Sequence, residues 1–110
     1  MREDLKRRLL DFRNDRGWEK YHTGPNLAHA LMVEAGELGD LFLWGTEPSL
    51  CDERCNSVRE EIADIQIYLF YLAHRYGIDI DNAVENKIVQ NEKKYPIGSG
   101  KISKHGGPTR

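Results

Sequence analysis

The chain has 110 residues, enough for one domain and too few for two separate cores. Hydrophobic residues make up 39% and charged residues 31%, a globular composition that excludes a disordered or membrane-embedded protein. The formal net charge of −2 leaves no global electrostatic case for a nucleic-acid polymer or an anionic lipid surface as partner.

No apolar run approaches the roughly 18 residues that a membrane helix needs. The first residues, MREDLKRRLL, lack the apolar segment of a secretory signal, so a cytoplasmic location is expected. Cys51 and Cys55 stand four apart without a second Cys or His pair, which reads as two ordinary reduced cysteines rather than a zinc site.

In chain order, Leu5, Leu9 and Phe12 recur at helical spacing and predict an amphipathic first helix over residues 2 to 15, with a basic outer face. A loop, RGWEKYHTGP, ends in Gly24-Pro25, a helix-start signal, and a second helix is expected from about 25 to 43. Gly45 and Pro48 interrupt the pattern. A third helix ends near Tyr76, with Gly77 as its stop; its start is either at a Ser49 cap or at a Ser57–Glu60 capping box. Asp79 caps a fourth helix that runs to about Tyr95 and stops at Pro96. The expected organisation is a folded domain over 1–96 and a mobile, Gly/Ser-rich basic tail over 97–110.

The second helix carries an anomaly. At 100° per residue, Leu27, Leu31, Glu34, Leu38, Leu41 and Phe42 fall within one arc of roughly 100°, with Ala30 and Glu37 at its edge. A carboxylate in the middle of an apolar face must be protonated, paired or bound to a cation. The third helix repeats the arrangement: Ile62, Ile65, Leu69 and Leu72 form the expected core stripe, and Glu61, Asp64, Tyr68 and Arg75 form a seam along its border. Ile67, Phe70 and Tyr71 lie opposite that stripe, so this helix is apolar nearly all round and calls for a second partner.

Acids spaced i, i+3 converge on one point, and two facing helices would bring four carboxylates together. Such a cluster repels itself unless a cation sits in it. The donors are all hard oxygen, with no His at i+3 or i+4, which selects Mg²⁺, with Mn²⁺ as a substitute, over zinc or copper. Mg²⁺ shares its remaining positions with phosphates, so phosphate chemistry is the expected use. The plain alternative is that these acids pair with Arg or Lys from the first or fourth helix. Glu60 faces away from the seam, and His29, His74 and His105 have no partner at telling spacing.

The stretches EAGEL with Trp44, EEIADIQIYL and ENKIVQNEKKYP together resemble the all-α nucleoside triphosphate pyrophosphohydrolases of the MazG-like superfamily, over about residues 5 to 96. Val33 stands where MazG proper usually has a further Glu, which brings the chain nearer the dCTP pyrophosphatase branch. The resemblance implies an all-α, four-helix MazG-like bundle that oligomerises through its central helices into a homodimer or homotetramer. It implies Mg²⁺ ligands at Glu34, Glu37, Glu61 and Asp64, with Trp18, His22, Trp44 and Tyr68 bordering the nucleotide pocket and Lys87 and Asn91 touching phosphates or sugar. It also implies that neighbouring subunits share an active site. One family contact in the first helix is a His, and this chain has Leu9 there.

The residues support several of these roles. Trp44 falls seven after Glu37 on the same flank, an indole suited to stacking on a base. Lys87 and Asn91 are an i, i+4 pair able to reach one ligand. His22 precedes a helix start, where N–H groups favour anions. Glu37 and Glu61 are the candidates for orienting an attacking water. The expected reaction is hydrolysis of a nucleoside triphosphate, dCTP or a modified relative, to monophosphate and diphosphate. The rivals are a related enzyme acting on dUTP or a damaged purine nucleotide, and a non-catalytic helical oligomerisation module. A di-iron bundle would need an E-x-x-H motif on each of two helices, and the one such spacing in the chain, Glu19 to His22, falls in the loop before the second helix.

Overall fold

A computed structural model describes residues 1–45, 47–48, 53–98 and 100. Its regular elements are α1 (Glu3–Asp15), a 3-10 turn (Glu19–Tyr21), α2 (Gly24–Asp40), α3 (Glu53–Arg75) and α4 (Ile80–Lys94), with no strand among the described residues. The all-α expectation holds. The chain forms two compact units, Met1–Gly77 and Ile78–Arg110.

In the first unit, α1 opens with Glu3 and Asp4 in its first turn, where acids complement the positive helix end. It closes on Gly17, whose φ of +69° is natural only to glycine. Gly17 N–H donates to Asn14 O at 3.0 Å and Trp18 N–H to Arg13 O at 2.9 Å, the paired bonds of a Schellman stop. That stop fixes where Trp18 leaves the helix. Within the loop anticipated from sequence, the chain then makes the short 3-10 turn and restarts at α2. Thr23 caps α2 by accepting from Asn26 N–H at 3.3 Å, with Pro25 in the first turn.

Regular α2 ends at Asp40, a few residues earlier than expected. Beyond it the backbone tightens into i→i+3 bonds, with Leu41, Phe42 and Leu43 N–H donating to Leu38, Gly39 and Asp40 O. α3 begins at Glu53, so Ser57 lies inside the helix and the Ser57–Glu60 box is not its start; Ser49 lies outside the described residues. It ends at Arg75, and Gly77, at φ +63°, donates to His74 O at 3.2 Å, as the stop signal anticipated.

The core joins α1, α2 and α3. Leu27, Phe70 and Tyr71 are buried, and Leu9, Leu10, Ile67, Tyr68 and Leu72 pack around them. The Tyr71 hydroxyl donates to Leu9 O at 2.6 Å, tying α3 to α1. This corrects the expected facing of α3. The aromatic side taken for the outer one is the core, and Ile62, assigned to the core stripe, is 50% exposed. Because the helix is apolar nearly all round, its periodicity does not say which side α1 and α2 cover, and they cover the bulkier Phe70–Tyr71 side.

In the second unit, Asp79 caps α4 by accepting from Asn82 N–H at 3.1 Å, as its position before an apolar run predicts. Lys93 and Lys94 occupy the last turn, favourable at the negative helix end, and the chain reaches Pro96 two residues later. Residues 101–110 of the expected tail lie outside the described residues.

Leu27 is only 2% exposed and belongs to the core cluster drawn from α1, α2 and α3. Leu27→Ala is expected to lower unfolding stability by roughly 3 kcal/mol, read as a shift in urea midpoint with unchanged slope. A loss below about 1 kcal/mol would place the core elsewhere.

Candidate functional site

The packing of α2 on α3 decides where the acids go. Glu34 lies on the same arc of α2 as Leu27, Leu31 and Leu38, so burying those leucines against α3 carries its carboxyl to the interface. Glu61 and Asp64 sit one turn apart on α3 and project into the same space. One carboxylate oxygen from each of Glu34, Glu61 and Asp64 lies within 4.8 Å of the others. Among the described residues this is the group of acids and related donors with metal-holding geometry.

Glu34 and Glu61 are half-buried, and each keeps one enclosed oxygen, Oε2, with no protein hydrogen-bond partner. A buried carboxylate oxygen without a donor is costly, and none of the described residues answers it. No Lys or Arg pairs with these acids in the described ion pairs, which are Arg2–Asp4, Lys6–Glu3 and Arg13–Glu19. The plain alternative of basic partners is therefore unsupported among the described residues.

The proton affinities follow from this crowding. The Glu34 carboxyl is pushed above its usual range, first by its hydrogen bond with Glu61, then by burial and by the charges of Glu61 and Asp64; a hydrogen bond with Glu37 pulls it back in part. A hydrogen bond between two carboxyls requires that one of them keep its proton. Glu37 is also raised, chiefly by its hydrogen bond with Glu34 and by that neighbour's charge. Glu37 is exposed, and its proton affinity responds to both Glu34 and Glu61, which puts it beside the triad on the solvent side. The set fits a hard divalent cation: all oxygen, excess negative charge, and buried lone pairs directed at one volume.

The other sequence-predicted residues are distributed. Tyr68 lies one turn beyond Asp64 on α3 and packs on the core cluster. Trp44 is in the turn after α2 and is 93% exposed, an indole presented to solvent. Trp18 meets the Phe12 ring edge-on at a centroid distance of 5.5 Å. The His22 ring meets the Tyr71 ring at a tilt, with centres 4.6 Å apart, so it belongs to the α1–α2–α3 corner. Its Nδ1 is buried without a partner among the described residues, and burial, together with nearby Arg13, lowers its proton affinity. Lys87 and Asn91 stand one turn apart on α4, in the second unit.

Sequence reasoning missed Arg13. It is 7% exposed, donates from Nε to Asn14 Oδ1 at 3.1 Å, and holds its guanidinium 5.9 Å from the Tyr71 ring centre. Its signal was its place four residues after Leu9, on the α1 face that packs against the core.

The sequence profile of the MazG-like family matches residues 30–107, which holds both acidic pairs. The chain belongs to the MazG-like family. Its relatives include dCTP pyrophosphatase 1 of Mus musculus, 38% identical over 100 residues that cover 86% of this chain and 59% of that protein. The Homo sapiens dCTP pyrophosphatase 1 is 38% identical over 99 residues, covering 86% of this chain and 58% of its own length. The chain thus spans less than two thirds of these mammalian relatives. The crystal structure of a pyrophosphatase from Archaeoglobus fulgidus superposes with a TM-score of 0.78 at 42% identity, covering 86% of this chain and 91% of that one.

The crowding has a pH signature with a definite sign. Glu34 and Glu37 have folded-state affinities raised above the ordinary 4.5, so their contribution to stability is full below pH 4.5 and is lost as pH rises through the raised values. A bound divalent cation reverses that loss. At pH 8, a cation concentration about a hundred times Kd is expected to raise the melting temperature by roughly 10 °C, and near pH 4.5 by little. Glu34→Gln is expected to abolish the response while leaving the metal-free protein folded. An equal cation effect at both pH values would refute the assignment.

Proposed function

We propose that the protein is a divalent-metal-dependent nucleoside triphosphate pyrophosphohydrolase. In this reading it cleaves dCTP, or a 5-modified dCTP, to the monophosphate and diphosphate and thereby cleans the nucleotide pool of the cytoplasm. The observation that carries it is the convergence of Glu34, Glu61 and Asp64 across α2 and α3, with two buried oxygens left unanswered, in a MazG-like chain. Its likeness to dCTP pyrophosphatase 1 proteins and to an archaeal pyrophosphatase supports the reaction class and the substrate.

Glu34, Glu61 and Asp64 hold Mg²⁺, with Mn²⁺ as a substitute, and Glu37 completes the set from the solvent edge. When bound, Mg²⁺ supplies neutralisation of phosphate charge and polarisation of a phosphoryl oxygen. The chain's own residues do the rest. Glu37 and Glu61 orient the attacking water, Glu37 being the better exposed of the two. In-line geometry then depends on holding the triphosphate still, the work assigned to Lys87 and Asn91. Trp44 and Trp18 offer ring faces to the base, Tyr68 lies beside the acid seam, and His22 buttresses the corner next to Trp18 as a neutral ring.

The active form is a homodimer or homotetramer built through the central helices. Met32 and Val33 on α2 and Ile62 on α3 are large apolar side chains left exposed in the single chain, and Trp44 needs a second surface to make a base sandwich.

The test is diphosphate release from each standard dNTP and NTP and from 5-methyl-dCTP, with and without Mg²⁺. A marked preference for a cytosine nucleotide is expected, with a loss of about a hundredfold or more in kcat for Glu61→Gln. Absence of release from every nucleotide, with metal present and the fold intact, would leave the acids structural and favour the oligomerisation module.

A further inference from the structure

The last carbonyls of α1 have no partner within the helix and must be answered from elsewhere. Arg13 O and Asn14 O accept from the backbone N–H groups of Trp18 and Gly17. Phe12 O accepts from a side chain, Arg16 Nη1 donating to it at 2.9 Å. That bond folds the Arg16 arm back over its own turn. The guanidinium thereby lies on the Phe12 ring, 3.6 Å from its centre. Arg16 takes part in none of the described ion pairs, so its charge is committed to the ring.

The same ring touches Trp18. Phe12 and Trp18 meet edge-to-face, with centres 5.5 Å apart and planes at 76°. The contacts run from guanidinium to phenyl to indole. An edge-to-face contact covers at most one face of the indole, and Trp18 is 43% exposed, so a ring face stays open.

Backbone and side chain do different jobs here. The Schellman bonds fix where the Trp18 backbone stands, and they leave the indole torsions free. Phe12 is the ring that meets the indole, yet at 44% exposed it is itself only half enclosed. A half-exposed phenyl keeps alternative rotamers unless something holds it. Arg16 holds it, gripping the carbonyl and the ring of the same residue.

We propose that Arg16 is a positioning residue for the substrate base, acting through Phe12 on the indole of Trp18. This rests on the nucleotide-hydrolase reading above, in which Trp18 offers a ring face to the base. A stacking platform already in place gives its full affinity, whereas ordering it on binding costs part of that affinity. The base lies away from the phosphates that react, so loss of the grip raises KM and leaves kcat. Lys keeps the charge but lacks the planar fork that bonds the carbonyl and covers the ring together.

The test uses the full chain with Mg²⁺ and with 5-fluorotryptophan at both tryptophans, Trp18 and Trp44. Each gives one ¹⁹F line, assigned with Trp44→Phe. Arg16→Gln is expected to shift or broaden the Trp18 line and to leave the Trp44 line in place. It is expected to raise KM for dCTP about fivefold, with kcat within about twofold of the parent. Inhibition by inorganic triphosphate, which has phosphates and no base, should be unchanged; a general loss of structure would weaken it too. Arg16→Lys should recover part of the KM. Phe12→Leu should raise KM similarly, and adding Arg16→Gln to it should cost nothing more.

A Trp18 line that ignores Arg16→Gln would overturn the proposal and leave the enzyme reading standing. So would a KM effect of Arg16→Gln that persists in full on the Phe12→Leu background. Triphosphate inhibition that weakens in step with KM would put Arg16 on the phosphates, and would overturn the proposal equally. No diphosphate from any nucleotide in the parent would sink the enzyme reading, and the base-positioning role with it.

Discussion

Mutual repulsion among three carboxylates on two packed helices is the constraint on which the rest of the structure turns. Glu34, Glu61 and Asp64 meet because the leucines around Glu34 must be buried, and α3 is where they are buried. The core thus holds acids together that would separate if free to do so. Apart from a cation, they answer the strain by retaining protons: Glu34 and Glu37 both have raised affinities, and their first-ranking cause is a carboxyl–carboxyl hydrogen bond. A site that stores repulsion in this way is tuned for a positive ligand, at some cost to the stability of the empty protein.

The opposite end of the first unit solves its electrostatics by another route. Arg13 is buried against Tyr71, and His22 packs at a tilt on the same ring, so two potentially cationic groups share one corner. The conflict is avoided because burial and Arg13 together keep His22 neutral. The Tyr71 hydroxyl, donating to Leu9 O, ties α3 to α1 at that corner. Trp18 emerges from the Schellman stop beside it, so its place is set by backbone geometry before any ligand is considered.

Much of this was legible in the sequence, for identifiable reasons. Asp79 before an apolar run, and Gly77 after one, fixed an end of two helices because caps and stops are local chemistry. Glu34 betrayed the site because a carboxylate on a leucine face breaks the local pattern, and such breaks gather where function is. The facing of α3 was not legible: Ile62 and Phe70 lie on different sides of a helix apolar all round, and only the partners decide between them. The end of α2 was also misjudged, since its apolar periodicity continues through Phe42 after the backbone has tightened into i→i+3 turns.

The central claim is that the triad is a metal centre, and paramagnetic Mn²⁺ tests it most directly. Added below stoichiometry at pH 8, Mn²⁺ should first broaden NMR signals from the turns of α2 and α3 that carry Glu34, Glu61 and Asp64, and excess Mg²⁺ should restore them. Broadening spread evenly over exposed acids such as Glu3 and Asp4, or its persistence in a Glu34→Gln/Asp64→Asn variant, would contradict the account.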